Sequence, residues 1–516
     1  MFSRIASAVS TLLPAPLVAR VRSFQEDTSG GIAVMFALMF VMLAIFVGAA
    51  VDLGRWSQTR SQTISAMDAA VLAGGRVLQL NEHDVEGARA AAALYYAENT
   101  RDRTPVVEDT ITFDVTDDNI GFQASGNAYL QTTFLSLAHI PRLPLFASTE
   151  AQYSKAQFKA GGNSNSDVEI AMMLDVTGSM KDTKTTQKIT ALKSAATKLV
   201  ETVIMDSAAA NFVRVAIVPF AEGVRLPANA VSTAVGTPPK IVKKTSGSGK
   251  NQKTILYNRS EHCVVERPGS NSYTDVAPGS GNYVLPYRDE VASILTSDGT
   301  VKIDNSTTKT EGAAADFTWA SGGKLSQSEK TKLKTAATTF ASCPLSSADE
   351  LVPLTNDKEV LKNKIAGLAL AGSTAGQIGT AWAWYTLSPN WNALWGADSA
   401  AAEYGNTTRK IAILMTDGAY NLQYDKDGIG TGSTGSGSAV NASSTTQARL
   451  LCTGMKAAGI TVYTVGFALG SNESAIETMN QCATDPSKAY TPEDANALEQ
   501  AFLDIALKIN ELYLTH

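Results

Sequence analysis

Between Asp27 and Asp52 the chain carries no charge, and the 22 residues from Gly30 to Val51 (GGIAVMFALMFVMLAIFVGAAV) are apolar throughout. As a helix this run reaches about 33 Å, enough to cross a hydrocarbon core of about 30 Å. No polar stripe interrupts it, which argues against a buried core helix. It is longer than the apolar region of a usual signal peptide and follows a 29-residue tail, which argues against cleavage as one. The reading is a transmembrane helix at 30–51 behind a cytoplasmic N-terminal tail at 1–29.

Charge leaves the orientation open, because Arg4, Arg20 and Arg22 before the span are nearly balanced by Arg55 and Arg60 after it. The cysteines decide it. Cys263, Cys343, Cys452 and Cys482 all follow the span, an even number suited to an oxidising compartment. We therefore expect the N-terminus inside and the bulk outside. Four cysteines permit three pairings, and their order favours Cys263 with Cys343 and Cys452 with Cys482.

Past the span, helical register continues from Gly54 to Leu80 with a break expected at Gly74-Gly75, and an Ala-rich second helix is expected over Asn81 to Asn99. The period then shifts toward two from Val106 to about Ser154, so 52–158 reads as a small α+β unit. Residues 159–167 lack apolar side chains except Ala160 and read as a linker. Beyond it, apolar runs at Val168 to Leu174, Val213 to Phe220, Ile411 to Met415 and Ile460 to Phe467 alternate with amphipathic helices such as Lys188 to Ile204. That rhythm predicts an α/β fold over 168–516, a doubly wound and mostly parallel sheet. Two stretches break it, about 227–347 and the Gly/Ser-rich Asp425 to Ser444, and both read as loop insertions.

Ligand sites of open parallel sheets lie at the carboxyl ends of strands. The first strand there ends in Asp175-Val-Thr177-Gly-Ser179, where a carboxylate followed at spacings of two and four by hydroxyls can converge on a hard cation such as Mg²⁺. Gly372-Ser-Thr374 lies in a loop before the Trp382/Trp384 helix, and Thr416-Asp417-Gly418 ends the strand Ile411 to Met415. In that order these pieces resemble the von Willebrand factor A family, a Rossmann-like fold with a metal-ion-dependent adhesion site. The resemblance implies Ser179 and Thr177 as hydroxyl ligands, Thr374 as a third in one state, and Asp175 and Asp417 acting largely through water on Mg²⁺ or another divalent cation such as Mn²⁺. Thr177 departs from the family's serine by a methyl group and keeps the hydroxyl.

The N-terminal portion carries a second resemblance, through Phe24-Gln-Glu-Asp-Thr-Ser-Gly-Gly31, Ala49-Ala-Val-Asp-Leu-Gly-Arg55 and Ala66-Met-Asp-Ala-Ala-Val-Leu-Ala-Gly-Gly75. It is similar to the TadE/TadG-like N-terminus of tight-adherence (Flp) pilus assembly proteins, and TadG-like proteins join such a segment to a von Willebrand A-type domain. That implies a single-pass inner-membrane protein with its bulk in the periplasm, or carried to the surface with a fibre. Its partners would be other pilus-assembly components and a protein supplying an acidic residue to the metal. The alternative is a structural envelope scaffold outside the pilus system, with a metal site that serves stability only. Pilin-like relatives are processed after a glycine with a glutamate five residues on. Here Ile-Ala-Val-Met-Phe follows Gly31, so no such cleavage is expected, and a mature protein beginning at Ile32 would contradict this.

Other classes find little support. With 43 Lys+Arg against 49 Asp+Glu there is no basic field for nucleic acid. His83, His139, His262 and His516 form no zinc ligand set with the cysteines. Gly247-Ser-Gly-Lys250 matches a phosphate loop only in its Gly-Lys, so no nucleotide is expected. Asp425-Lys-Asp-Gly428 reads as a polar turn rather than a calcium loop, and Trp382, Trp384, Trp391 and Trp395 read as packing. No general base stands beside the hydroxyls and no Ser-His-Asp set is visible, so the chain is not expected to be an enzyme.

Overall fold

The computed structural model of the chain describes residues 30–80, 84–116, 121–146, 152–160, 167–184, 187–204, 213–247, 253–295, scattered positions from 326 to 336, 339–405, 407–432 and 442–515. The expected tail at 1–29, residues 161–166 of the linker, residues 248–250 of the Gly247–Lys250 stretch and residues 433–441 of the second insertion lie outside these residues.

The chain divides into two compact units. In the first, α1 (Gly30–Leu80) is one continuous helix, long and apolar enough to cross a membrane. The break expected at Gly74-Gly75 does not occur, because Gly74 lets the helix approach the ring of Phe122, which a Cβ there would strike. Helix α2 (Val85–Asn99) starts later than the sequence suggests, where the Asp84 carboxylate accepts from the Gly87 N–H at 2.9 Å and caps it. Strands β1 (Thr112–Val115), β2 (Gly121–Ser125) and β3 (Gln152–Ala160) pair antiparallel, with Phe113 opposite Ala124 and Phe122 opposite Ala156. Ala66, Met67, Ala70 and Val71 of α1, Ala88 and Ala92 of α2, and Phe122 of β2 are buried.

The second unit runs β4 (Val168–Asp175), α3 (Lys188–Val203), β5 (Val213–Phe220), then β6 (Ile241–Ser246), β7 (Lys253–Val264) and β8 (Pro286–Leu295). It continues with β9 (Val352–Thr355), α4 (Lys358–Gly367), α5 (Gly376–Leu387), β10 (Arg409–Thr416) and α6 (Ser444–Ala457). Last come β11 (Thr461–Gly466), α7 (Glu473–Cys482), β12 (Ala489–Tyr490) and α8 (Ala495–Ile509). The central sheet has the order β9-β5-β4-β10-β11-β12. All its neighbours are parallel except the edge strand β9, which runs antiparallel to β5.

Alternate residues of β4 explain the double winding. Val168, Ile170, Met172 and Leu174 pack with Leu192 and Leu199 of α3, Leu361 of α4 and Phe502 of α8. Ala171 and Met173 point the other way, into a core with Trp382 of α5, Leu451 of α6 and Met479 of α7. Burial on both faces is why the strand reads as a continuous apolar run.

The first insertion is not a run of loops. β6, β7 and β8 form an antiparallel sheet, which the short strand Val224–Arg225 extends by pairing with Cys263 and Val264. Its period was hard to read because the buried positions of β7 include Thr254, Asn258 and Ser260 beside Leu256. Disulfides join Cys263 to Cys343 and Cys452 to Cys482, with Cα atoms 5.3 Å and 5.0 Å apart.

Candidate metal centre

β4 ends at Asp175, whose side chain is fully buried and saturated with hydrogen bonds. Its Oδ1 accepts from the Thr177 backbone N–H at 2.9 Å and the Thr177 hydroxyl at 2.6 Å. Its Oδ2 accepts from the Thr416 hydroxyl at 2.8 Å and the Asp417 N–H at 3.3 Å. The Thr177 and Ser179 hydroxyls lie 2.9 Å apart, and Ser179 Oγ donates to Asp417 Oδ1 at 2.6 Å. Asp175, Thr177, Ser179 and Asp417 thus form one chain of oxygens across the carboxyl ends of two adjacent parallel strands.

The third piece is docked through backbone. The Ala371 N–H donates to the Val176 carbonyl at 2.7 Å, and the Gly178 N–H donates to the Gly372 carbonyl at 3.0 Å. Thr374 is held by Asn421, whose Oδ1 accepts the Thr374 N–H and whose own N–H donates to the Thr374 carbonyl, both at 2.8 Å. Gly372 has φ +34°, and a Cβ there would strike the Glu222 side chain, so glycine is needed for this loop to close against its neighbour. Glu222 Oε1 in turn accepts the Ser373 N–H at 3.1 Å.

Four contributors carry no role in the sequence reading: Lys188, Thr416, Asn421 and Glu222. Thr416 was visible as the first residue of Thr416-Asp417-Gly418, but the other three carry no spacing signal. Lys188 matters most, because its Nζ donates to Asp417 Oδ2 at 2.7 Å at the start of α3. One positive charge of the chain's own therefore sits on the carboxylate that the hydroxyl set shares.

Burial, and then repulsion from Asp417, push the Asp175 carboxyl up to about 6, while hydrogen bonds from Thr177 and Thr416 pull it the other way. A carboxyl raised in the folded state favours folding in its protonated form. The stabilisation is full below its ordinary value of 3.8 and is lost as pH rises through about 6. In metal-free buffer, wild type should lose stability relative to Asp175→Asn over that window and level off above it. A difference in denaturation midpoint that is constant with pH would contradict this.

The donor set is chemically suited to a hard cation: two carboxylates, two hydroxyls, and an exposed Ser179 that opens it to solvent. Among the described residues no three His, Cys, Asp or Glu side chains gather as a ligand group, so an ion here would depend on the Thr177 and Ser179 hydroxyls. Elsewhere, Asp425 Oδ1 accepts from the Asp427 and Ile429 N–H groups and the acid pairs with Lys244, a polar turn. Trp382 and Trp391 are fully buried, 5.4 Å apart edge to face, within the core.

Residues 30–77, within α1, match the Flp pilus-assembly TadE/G-like family. No curated protein matches the chain. Among solved structures, the chain is similar to the vWF domain of the type V pili tip protein Mfa5 from Porphyromonas gingivalis. That likeness has 12% identity and a TM-score of 0.33, covering 67% of this chain and 95% of that one. It is also similar to the adhesive tip pilin GBS104 from Group B Streptococcus agalactiae, with 10% identity, a TM-score of 0.34, and 66% and 99% covered. The pilus adhesin SpaC from Lactobacillus rhamnosus GG shares 12% identity at a TM-score of 0.32, over 77% of this chain and only 34% of its own length.

Proposed function

We propose that the chain is a membrane-anchored, metal-dependent protein-binding component of tight-adherence (Flp) pilus assembly or bacterial adhesion, and not an enzyme. The observation that carries this reading is the joining, in one chain, of a TadE/G-like apolar helix to an oxygen set at the carboxyl ends of a parallel sheet. In this reading α1 spans the inner membrane and the second unit works in the periplasm or at the cell surface.

Thr177 and Ser179 would hold Mg²⁺ or Mn²⁺ directly, with Thr374 joining in one state and Asp175 and Asp417 acting through water. The bound ion would supply an open coordination position for a Glu or Asp of the partner protein. The chain's own residues do the positioning. Asp175 orients the Thr177 hydroxyl, Asp417 orients that of Ser179, and the backbone bonds of Ala371 and Gly372 bring the Thr374 loop alongside.

One observation favours the second reading, a structural scaffold outside the pilus system. The Lys188–Asp417 pair neutralises one of the site's two carboxylates without an ion, which lowers the charge an ion would meet. The two readings separate in a deletion strain complemented at equal membrane abundance with wild type or Ser179→Ala. Ser179 is the better probe, because it is exposed whereas Asp175→Ala would strand four buried donors. The first reading expects surface pili and attachment to fall by at least about tenfold with Ser179→Ala. Equal rescue by both would favour the scaffold, and no defect on deletion would remove the pilus from the account.

A further inference from the structure

The first unit carries an apolar surface that the anchor alone does not explain. Residues 132–141 (TTFLSLAHIP) contain no Asp, Glu, Lys or Arg, and they form a loop with a single 3-10 turn at Leu135–Ala138. Leu137 is 69% exposed and Ile140 43%. The loop is fastened to α1 at a defined level. The buried Asp52 carboxylate, the first charge after the apolar run, accepts the backbone N–H groups of Thr133 at 3.1 Å and of Phe134 and Leu135 at 2.8 Å each. The Phe134 side chain packs over Gly48, where a Cβ would clash with it. Gly48 lies four residues, about 6 Å along the helix, inside the apolar run from Asp52.

The side chains of α1 at this level also face outward, with Phe46 74% and Val47 58% exposed. Just beyond it comes a polar collar. Arg55 Nη1 donates to the Thr133 hydroxyl at 3.0 Å and Trp56 Nε1 donates to the Pro144 carbonyl at 2.7 Å, and Trp and Arg are side chains that settle at a membrane–water boundary.

We propose that the Phe134–Ile140 loop is a second, shallow membrane contact, a wedge that enters the outer leaflet beside the end of the span. The proposal rests on the reading of α1 as membrane-spanning. If Gly48 lies in lipid, the loop held against it does too. Lipid is then the occupant that covers Leu137 and Ile140, with the Asp52 clamp hiding the loop's leading backbone N–H groups from the hydrocarbon. The wedge would fix the tilt and rotation of the first unit on the bilayer, which a single helix leaves free.

The test uses the full, disulfide-bonded chain in phosphatidylethanolamine/phosphatidylglycerol liposomes. An environment-sensitive fluorophore is attached at Leu137→Cys or, in a second variant, Ala138→Cys. Met39→Cys serves as the span control and Asn99→Cys as the aqueous control. Nitroxide lipids of known depth should quench the Leu137 and Ala138 probes several-fold more than Asn99, at a depth of roughly 5–10 Å. Deep nitroxides should quench Met39. Quenching at Met39 with none at Leu137 and Ala138 overturns the wedge and leaves the anchor standing, whether those probes meet water or protein. An unquenched Met39 removes the anchor, and the wedge with it.

Discussion

Replacing Lys188 by methionine is expected to tighten Mg²⁺ binding by at least about tenfold, or about 1.4 kcal/mol, and to make stability depend on the ion. The Lys188 ammonium is 2.7 Å from Asp417 Oδ2, and the Asp417 side chain is buried. An incoming cation must share that carboxylate with a charge of its own sign, so removing the ammonium removes a competitor. In metal-free buffer the same change leaves Asp417 without its counter-charge and close to Asp175, which costs on the order of 3 kcal/mol for a buried pair that loses one member. Titration calorimetry and thermal unfolding of the solubilised chain, with and without Mg²⁺, read both effects. Unchanged affinity together with an unchanged metal-free melting temperature would show that Lys188 does not compete for the site.

Glu169→Leu should cost about 3–5 kcal/mol of unfolding free energy, because it strands the buried Lys410 and takes the carboxylate from the partly buried Arg214. Glu169 lies near the amino end of β4 and faces Arg214 of β5 on one side and Lys410 of β10 on the other. Its Oε1 accepts from Arg214 Nη2 at 2.5 Å and from the Ala402 N–H at 2.8 Å, and its Oε2 accepts from Lys410 Nζ at 2.5 Å. Glu169 and Lys410 are both buried, so neither can recover its loss in water. The triad ties three neighbouring strands in one register, and a slip by one residue would turn its charges into an apolar core. Denaturant unfolding measures the cost; a loss below about 1 kcal/mol would mean that water reaches the triad in the folded chain.

These two sites show what a sequence exposes and what it hides. Asp175, Thr177 and Ser179 stand out because an apolar strand must end where they begin, and Asp417 stands out for the same reason after Met415. The alternation of such strands with amphipathic helices carries the mixed, mostly parallel architecture. Lys188 is invisible by comparison, since a lysine opening a helix has no pattern of its own and meets Asp417 only when two distant elements pack. Glu169, Arg214 and Lys410 read as ordinary polar residues at strand starts, and only the strand order β5-β4-β10 makes them a triad. Gly74-Gly75 misled in the opposite sense, since a residue that usually interrupts a helix serves here to admit Phe122. The antiparallel sheet of the first insertion stayed hidden because Asn258 turns inward to donate to the carbonyls of Ala336 and Thr339, so polarity did not mark the outer face.

Metal-dependent binding requires that the Thr177–Ser179–Asp417 oxygen chain hold a divalent cation. Electron paramagnetic resonance of Mn²⁺ titrated into the solubilised chain tests it directly, in wild type and in Ser179→Ala. Wild type should show one saturable site, and the variant an affinity at least about tenfold weaker, a loss of about 1.4 kcal/mol. No saturable site in wild type, or equal binding by both proteins, would contradict it.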